Sequence, residues 1–209
     1  MNARPRSADD ADDDIDPDQR PRKLADCRRC GLWRNATQAV GGEGKRRAPI
    51  MLVGEQPGDK EDLAGHPFVG PAGALLDKAL EQAGVSRDAV YITNAVKHFK
   101  WQLRGKRRMH KSPAQAEIAA CGYWLEQELD EIQPRVVIAL GATALRAVTR
   151  ERGHTLASAL GKTLVQGERR VLAAYHPSFA LRSPDPERRH AAFQTIVDAL
   201  RRARRLSGG

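Results

Sequence analysis

Three groups of residues have types and spacings that suit chemistry. The first is the cysteines: Cys27-Arg28-Arg29-Cys30 and, far downstream, Cys121. A C-x-x-C pair is half of a zinc site, half of an iron–sulfur site, or a redox pair. A redox pair of the thioredoxin kind belongs between a strand and a helix, whereas this one precedes the first expected strand. An odd cysteine count argues against a disulfide framework. A metal needs about two further ligands, and Cys121 is one. The second group is three polar segments: Gly54-Glu55-Gln56-Pro57-Gly58-Asp59, Asn94, and His176-Pro177-Ser178. Together they offer a carboxylate, an amide and an imidazole. The third is the basic stretch from Lys100 to Pro113, in which Lys106, Arg107, Arg108 and Lys111 surround His110. Clustered cations suit phosphates, and by pattern alone His110 reads as one more phosphate contact.

Alternating strands and helices must position these groups. Ile50-Met51-Leu52-Val53 reads as a short buried strand ended by Gly54. Ala72 to Ala83 carries apolar residues at helical spacing, with Gly84 as C-cap. Val90 to Thr93 is a second strand. Ser112-Pro113-Ala114-Gln115 predicts a helix start with Ser as N-cap, running to about Ile132. Arg135 to Leu140 is a third strand, and Gly141 opens a helix through Val148. Lys162–Val165 and Val171–Ala174 flank a glycine-containing turn and read as a hairpin or two neighbouring strands. Pro186 precedes a final helix whose apolar stripe includes Phe193, Ile196 and Leu200. Such alternation implies a mainly parallel sheet covered by helices, with ligands beyond the strand carboxyl ends. All three polar segments fall at those ends, which predicts one pocket.

Composition sets the outer bounds. The 209 residues suit one domain, and 41% hydrophobic content supports a packed body. Residues 1–22, with Asp9, Asp10, Asp12, Asp13, Asp14, Asp16 and Asp18, read as a disordered acidic tail. Residues 23–209 are then one domain. No apolar run approaches the roughly 20 residues of a membrane span, and the first residues are Asp- and Arg-rich rather than leader-like. A cytoplasmic protein without a membrane partner is expected. The net charge is +9, and the body without its tail is more basic still, which suits a nucleic-acid partner.

The motifs Gly54-Glu55-Gln56-Pro57-Gly58, Phe68-Val69-Gly70-Pro71-Ala72-Gly73, Tyr91-Ile92-Thr93-Asn94-Ala95-Val96-Lys97 and His176-Pro177-Ser178 resemble, in order and spacing, the iron–sulfur branch of the uracil-DNA glycosylase superfamily. The resemblance runs from Cys27 to about Arg182. It implies a three-layer α/β/α sandwich around a central, mainly parallel four-stranded sheet. It also implies removal of uracil from DNA by a monomer, with single strands preferred. Phe68 would be the platform for the extruded base, Asn94 the reader of its polar edge, and His176 the donor to the departing base. Gly54 would permit close backbone approach, and Ser178 and Arg182 are expected at the DNA. Taken singly, Phe68 reads rather as core, Asn94 as a turn cap and His176 as a loop histidine. Relatives carry a further cysteine where this chain has His98. Cys27, Cys30, His98 and Cys121 are therefore the expected ligands. The donor types alone suit zinc, while the resemblance implies a [4Fe–4S] cluster in a structural role.

The basic stretch departs from most relatives, which are shorter and proline-rich there. Arg107-Arg108-Met109-His110-Lys111-Ser112-Pro113 looks like the signature of the UdgX group. That likeness implies that, after uracil leaves, His110 attacks the sugar carbon and stays bonded to it. Glu55 would orient His110 or accept its proton. Gln56 and Asp59 are expected around the base and its water, and Lys106, Arg107, Arg108 and Lys111 on phosphates. The alternatives are a conventional multiple-turnover glycosylase, with His110 as a phosphate contact, and a non-catalytic binder of single-stranded DNA.

Overall fold

The computed structural model describes residues 15–151 and 153–208. The strands are β1 (Glu43–Gly44), β2 (Ile50–Gly54), β3 (Val90–Asn94), β4 (Trp101–Arg104), β5 (Arg107–His110), β6 (Val136–Leu140), β7 (Leu164–Gln166) and β8 (Arg169–Ala174). The helices are α1 (Asp59–Ala64), α2 (Pro71–Ala83), α3 (Gln115–Ile132), α4 (Ala142–Thr149), α5 (Leu156–Ala159), α6 (Pro177–Arg182) and α7 (Pro186–Leu206).

The main sheet has the order β1-β3-β2-β6-β8-β7. Its four central strands are parallel, as expected, but β1 and β7 add an antiparallel strand at each edge. The sheet is thus six-stranded rather than four-stranded. Two-residue periodicity separates the faces. Ile50, Leu52, Val136, Ile138 and Leu172 pack with Leu76 and Leu80 of α2 and Ile196 and Leu200 of α7. Met51, Val53, Val137, Ala139 and Val171 pack on the opposite side with Leu125 and Leu129 of α3 and Leu145 and Val148 of α4. That division makes the three layers.

Most expected elements appear within a residue or two. Gly84 ends α2 at φ 67°, where glycine fits without a Cβ penalty. The start of α3 is a correction. Ser112 and Pro113 lie before the helix, whose N-cap is Ala114. Lys111 N–H donates to the Lys100 carbonyl at 3.0 Å, which holds this stretch extended. Glu117 then accepts from the Ala114 N–H at 2.5 Å and satisfies one free donor of the first turn. The expected tail over residues 1–22 needs a second adjustment. Residues 1–14 lie outside the described residues, but the stretch from residue 15 to residue 22 packs onto the cysteine turn. Asp16 N–H donates to the Arg28 carbonyl at 3.0 Å, the Gln19 side chain accepts from Arg28 N–H at 2.6 Å, and Pro21 is buried.

Candidate active site

The chain leaves β2 for β3 on one side and reaches β6 and β8 on the other, so the topological switch lies between β2 and β6. A cleft of about 640 Å³ opens there, at the carboxyl ends of the parallel strands. Glu55 follows β2, Asn94 ends β3, Gly141 follows β6, and Tyr175 and His176 follow β8; all line it. The three polar segments therefore converge as expected.

Strand register builds the floor. Gly54 pairs directly with Asn94. A Cβ on Gly54 would lie 2.6 Å from Phe68 Cζ and closer still to Asn94 Oδ1, so only glycine admits both side chains. Asn94 Oδ1 is buried and has no hydrogen-bond partner among the described residues, an acceptor left for a ligand. Phe68 is 5% exposed and sits at φ 55°, a left-handed conformation that side chains seldom adopt. Its carbonyl lies against Gly73, where a Cβ would collide with it, and the Arg87 guanidinium donates to the Pro67 and Phe68 carbonyls. The ring faces His176 at 5.9 Å between centroids.

His176 and Glu55 differ in electrostatics. His176 Nδ1 accepts from the Ser178 N–H at 3.1 Å and pairs with Ser178 Oγ at 2.8 Å. The neutral ring therefore carries its proton on Nε2. Burial pushes its pKa down to about 4, with Arg182 and His110 adding to the fall and Glu55 opposing it. His176 is thus a neutral donor at neutral pH. Burial alone would raise the Glu55 carboxyl. Hydrogen bonds from His110 and Thr143, with nearby imidazole charge, bring it below its ordinary value. Thr143 Oγ1 donates to Glu55 Oε2 at 2.6 Å, and His110 Nε2 lies 3.2 Å from Glu55 Oε1.

The basic stretch is a hairpin, β4 against β5, which periodicity did not reveal. Gln56 forms its neck: Nε2 donates to the Lys100 and Lys111 carbonyls at 3.2 and 3.1 Å, and Oε1 accepts from Lys100 N–H at 3.2 Å. Gln56 lines the cleft, but its amide is spent on the hairpin rather than held for a base. Arg108 also departs from its expected phosphate role. It donates to Asp59 at 2.7 Å and to the fully buried Asp62 at 2.6 Å, and its guanidinium lies over the Phe99 and Trp101 rings. Asp59 is occupied by that pair while lining the cleft. Lys106, Arg107 and Lys111 are exposed, and Ser178 and Arg182 line the cleft.

Five contributors escaped the sequence reading. Thr143 holds Glu55. Glu61, buried on α1, accepts from Gly58 and Gly70 N–H at 3.1 and 2.7 Å and ties the two glycine turns together. Lys97, buried, donates to Thr93 Oγ1, the Asn94 carbonyl and Glu128 at 2.7, 2.8 and 2.6 Å, which fixes the end of β3. Tyr175 and Phe179 stack at 4.7 Å on the cleft wall. A lysine closing the Asn94-Ala95-Val96 run was the one available signal.

The cysteines gather outside the cleft lining, around Val96, Ile118 and Trp124. Cys27 and Cys121 are buried in one cluster, with Cys30 packed against it and all three free. Lys97 N–H, next to His98 in the chain, donates to Cys121 Sγ at 3.2 Å. Arg29 Nε reaches the Ala120 carbonyl at 2.8 Å and locks the cysteine turn to α3. Burial pushes the Cys121 thiol up to about 12 and the His98 imidazole down to about 4. The buried Trp124 indole N–H in this cluster has no partner among the described residues. Among those residues no three His, Cys, Asp or Glu side chains converge to hold a single metal ion. In a four-iron cluster each ligand binds a different iron, so a wider spread of donors is needed. Soft thiolates, an imidazole and an unpaired N–H fit such a group.

Sheet order and cleft position place the protein among the open α/β folds whose ligands bind at the strand carboxyl ends. Comparison sharpens the class. The family model for the uracil DNA glycosylase superfamily matches residues 42–201, and the chain belongs to that family. It is 36% identical to a type-4 uracil-DNA glycosylase of Thermotoga maritima over 185 residues, which cover 85% of this chain and 89% of the relative. It is 38% identical to a type-4 enzyme of Pyrobaculum aerophilum over 170 residues, 77% of this chain and 82% of the relative. A type-5 uracil-DNA glycosylase of the same organism is 34% identical over 192 residues, 84% and 80% of the two chains.

Proposed function

We propose that the protein excises uracil from DNA and is then captured by it, through a bond from His110 to C1′ of the sugar. The extruded base enters the cleft over Phe68. Asn94 offers an acceptor and a donor that match the N3–H and O4 of uracil and mismatch the same edge of cytosine. As the C1′–N1 bond breaks, its electron pair leaves on the base, where neutral His176 donates from Nε2. The ionised Glu55 faces the cationic sugar. Glu55 then takes the proton of His110 Nε2, the freed lone pair forms the Nε2–C1′ bond, and the uracil anion recovers a proton from Glu55 or solvent.

The observation that carries this reading is the placement of His110. Its side chain is nearly half exposed at the cleft mouth, yet Nε2 touches Glu55 at 3.2 Å. A phosphate contact would need no carboxylate beside it. Lys106, Arg107 and Lys111 supply exposed cations for the backbone on either side. Single strands are favoured because an unpaired base costs less to extrude.

Cys27, Cys30, His98 and Cys121 would hold a [4Fe–4S] cluster. Such a group, when bound, supplies a redox-capable centre and a rigid crosslink. The chain's own residues here join the cysteine turn, the loop after β3 and α3, away from the cleft.

The test is a uracil-containing oligonucleotide beside a thymine one on a strongly denaturing gel. A heat-stable shifted band with uracil alone supports the proposal, and His110→Ala should abolish it while uracil release continues. Alkali-labile sites without a shifted band would assign a conventional glycosylase instead.

A further inference from the structure

A second concavity adjoins the cleft. It measures about 340 Å³ and lies between α2, α6 and α7. Leu75, Leu181 and Phe193 form an apolar floor, and Lys78, Arg189 and His190 stand on the rim. Leu181 lines both this groove and the cleft, and is 45% exposed. Beside it, Arg182 lines the cleft. Lys78, Arg182, Arg189 and His190 are all exposed, and none makes an ion pair among the described residues. Of the acids nearby, Asp77 is held by Arg87 at 2.5 Å and Asp185 caps α7 by accepting from Glu187 N–H at 3.0 Å, which leaves Glu187 as the exposed carboxylate beside the cationic rim.

We propose that this groove binds the nucleotide neighbouring the uracil on the same DNA strand. This rests on the reading of the cleft as the uracil site. An apolar floor suits the face of any base, and a cationic rim suits its phosphates. The shared Leu181 makes the groove continuous with the cleft, so a strand whose uracil is extruded passes over it next. The groove reads no base edge, because its floor offers no donor or acceptor side chain. It therefore sets how much flanking strand the enzyme needs, not which sequence.

Binding is measured by fluorescence anisotropy, using oligonucleotides whose deoxyuridine carries a 2′-fluorine. The fluorine destabilises the cationic sugar and blocks cleavage. A uracil-centred trinucleotide is compared with the same core extended by several nucleotides on the 5′ side or on the 3′ side. One extension should tighten binding about tenfold, the order expected for one stacked base. In the Lys78→Glu/Arg189→Glu variant the extended-to-trinucleotide ratio should fall to near one. The ratio is internal to each protein, so partial unfolding cancels. Arg204→Glu/Arg205→Glu, with the same charge change at the far end of α7, should keep the gain. Retention of the gain by the groove variant overturns the proposal. So does an equal loss in the two variants, or no gain from either extension. Uracil release from unmodified DNA is assayed in parallel. Its absence in the wild type sinks the parent reading, whereas release without a flank gain sinks only the groove.

Discussion

The base cleft and the β4–β5 hairpin meet at His110 and are built on opposite plans. The cleft is made of strand ends. Gly54 and Asn94 are register partners in the middle of a parallel sheet, and the chain just beyond them is tied by Ala95 N–H to the Gly54 carbonyl and Val96 N–H to the Glu55 carbonyl. Its side chains inherit the rigidity of the core. The hairpin is mostly exposed and belongs to no larger sheet. Side chains hold it from outside: Gln56 at its neck, Asp59 and Asp62 on Arg108, and the Asn35 carbonyl on Trp101 Nε1 at 2.9 Å. On the proposed function, the part that would recognise a base is fixed by the fold, and the part that would add a second chemistry is clamped on. Damage to the cleft should lose both steps, whereas damage to the hairpin should lose the adduct and largely spare uracil release.

The largest expected effect comes from the cleft. Gly54→Ala pushes a methyl group into the Phe68 ring and the Asn94 amide. Uracil release should fall by about 100-fold, the scale of an ångström-sized misplacement, and adduct formation should fall in parallel because it follows release. A quantitative assay of free uracil beside the gel measures both; loss of the adduct alone would break the comparison.

Arg108→Ala tests the clamp. It frees β5 from α1 and leaves the buried Asp62 carboxylate without its cation, a loss of about 3–5 kcal/mol. Assayed well below the lowered melting temperature, the adduct rate should drop about tenfold while uracil release changes far less. Equal losses would mean that the hairpin also shapes the pocket.

The smallest effect concerns His176. Its imidazole titrates at 6.5 in the unfolded chain and at about 4 in the fold. Between those values the unfolded chain binds more protons, so stability falls as pH drops from about 6.5 to 4. His176→Gln should remove that part of the acid sensitivity, read as a shallower dependence of melting temperature on pH. An unchanged slope would mean that the ring is already solvated.

Much of this was legible in the residues. The strands β2, β3, β6 and β8 and the helices α2, α4 and α7 follow from local periodicity and glycine or proline stops. Their alternation implied the parallel sheet and hence the rim where Glu55, Asn94 and His176 meet. The start of α3 was misplaced because Ser112-Pro113 reads locally as a cap and first turn, and only the hairpin ladder at Lys111, which keeps this stretch extended, moves the start to Ala114.

What the sequence by itself determined is the set of elements, their order and the residues delivered to the cleft, because those depend on the pattern along the chain. Tertiary structure alone decided the partners. Arg108 reads as one more cation in a basic run until Asp62, many residues away, is folded against it. Gln56 reads as a pocket amide until the hairpin neck consumes its hydrogen bonds. A side chain's charge and donors are written in the sequence, but which group desolvates it and pairs with it depends on the neighbours that folding brings within reach.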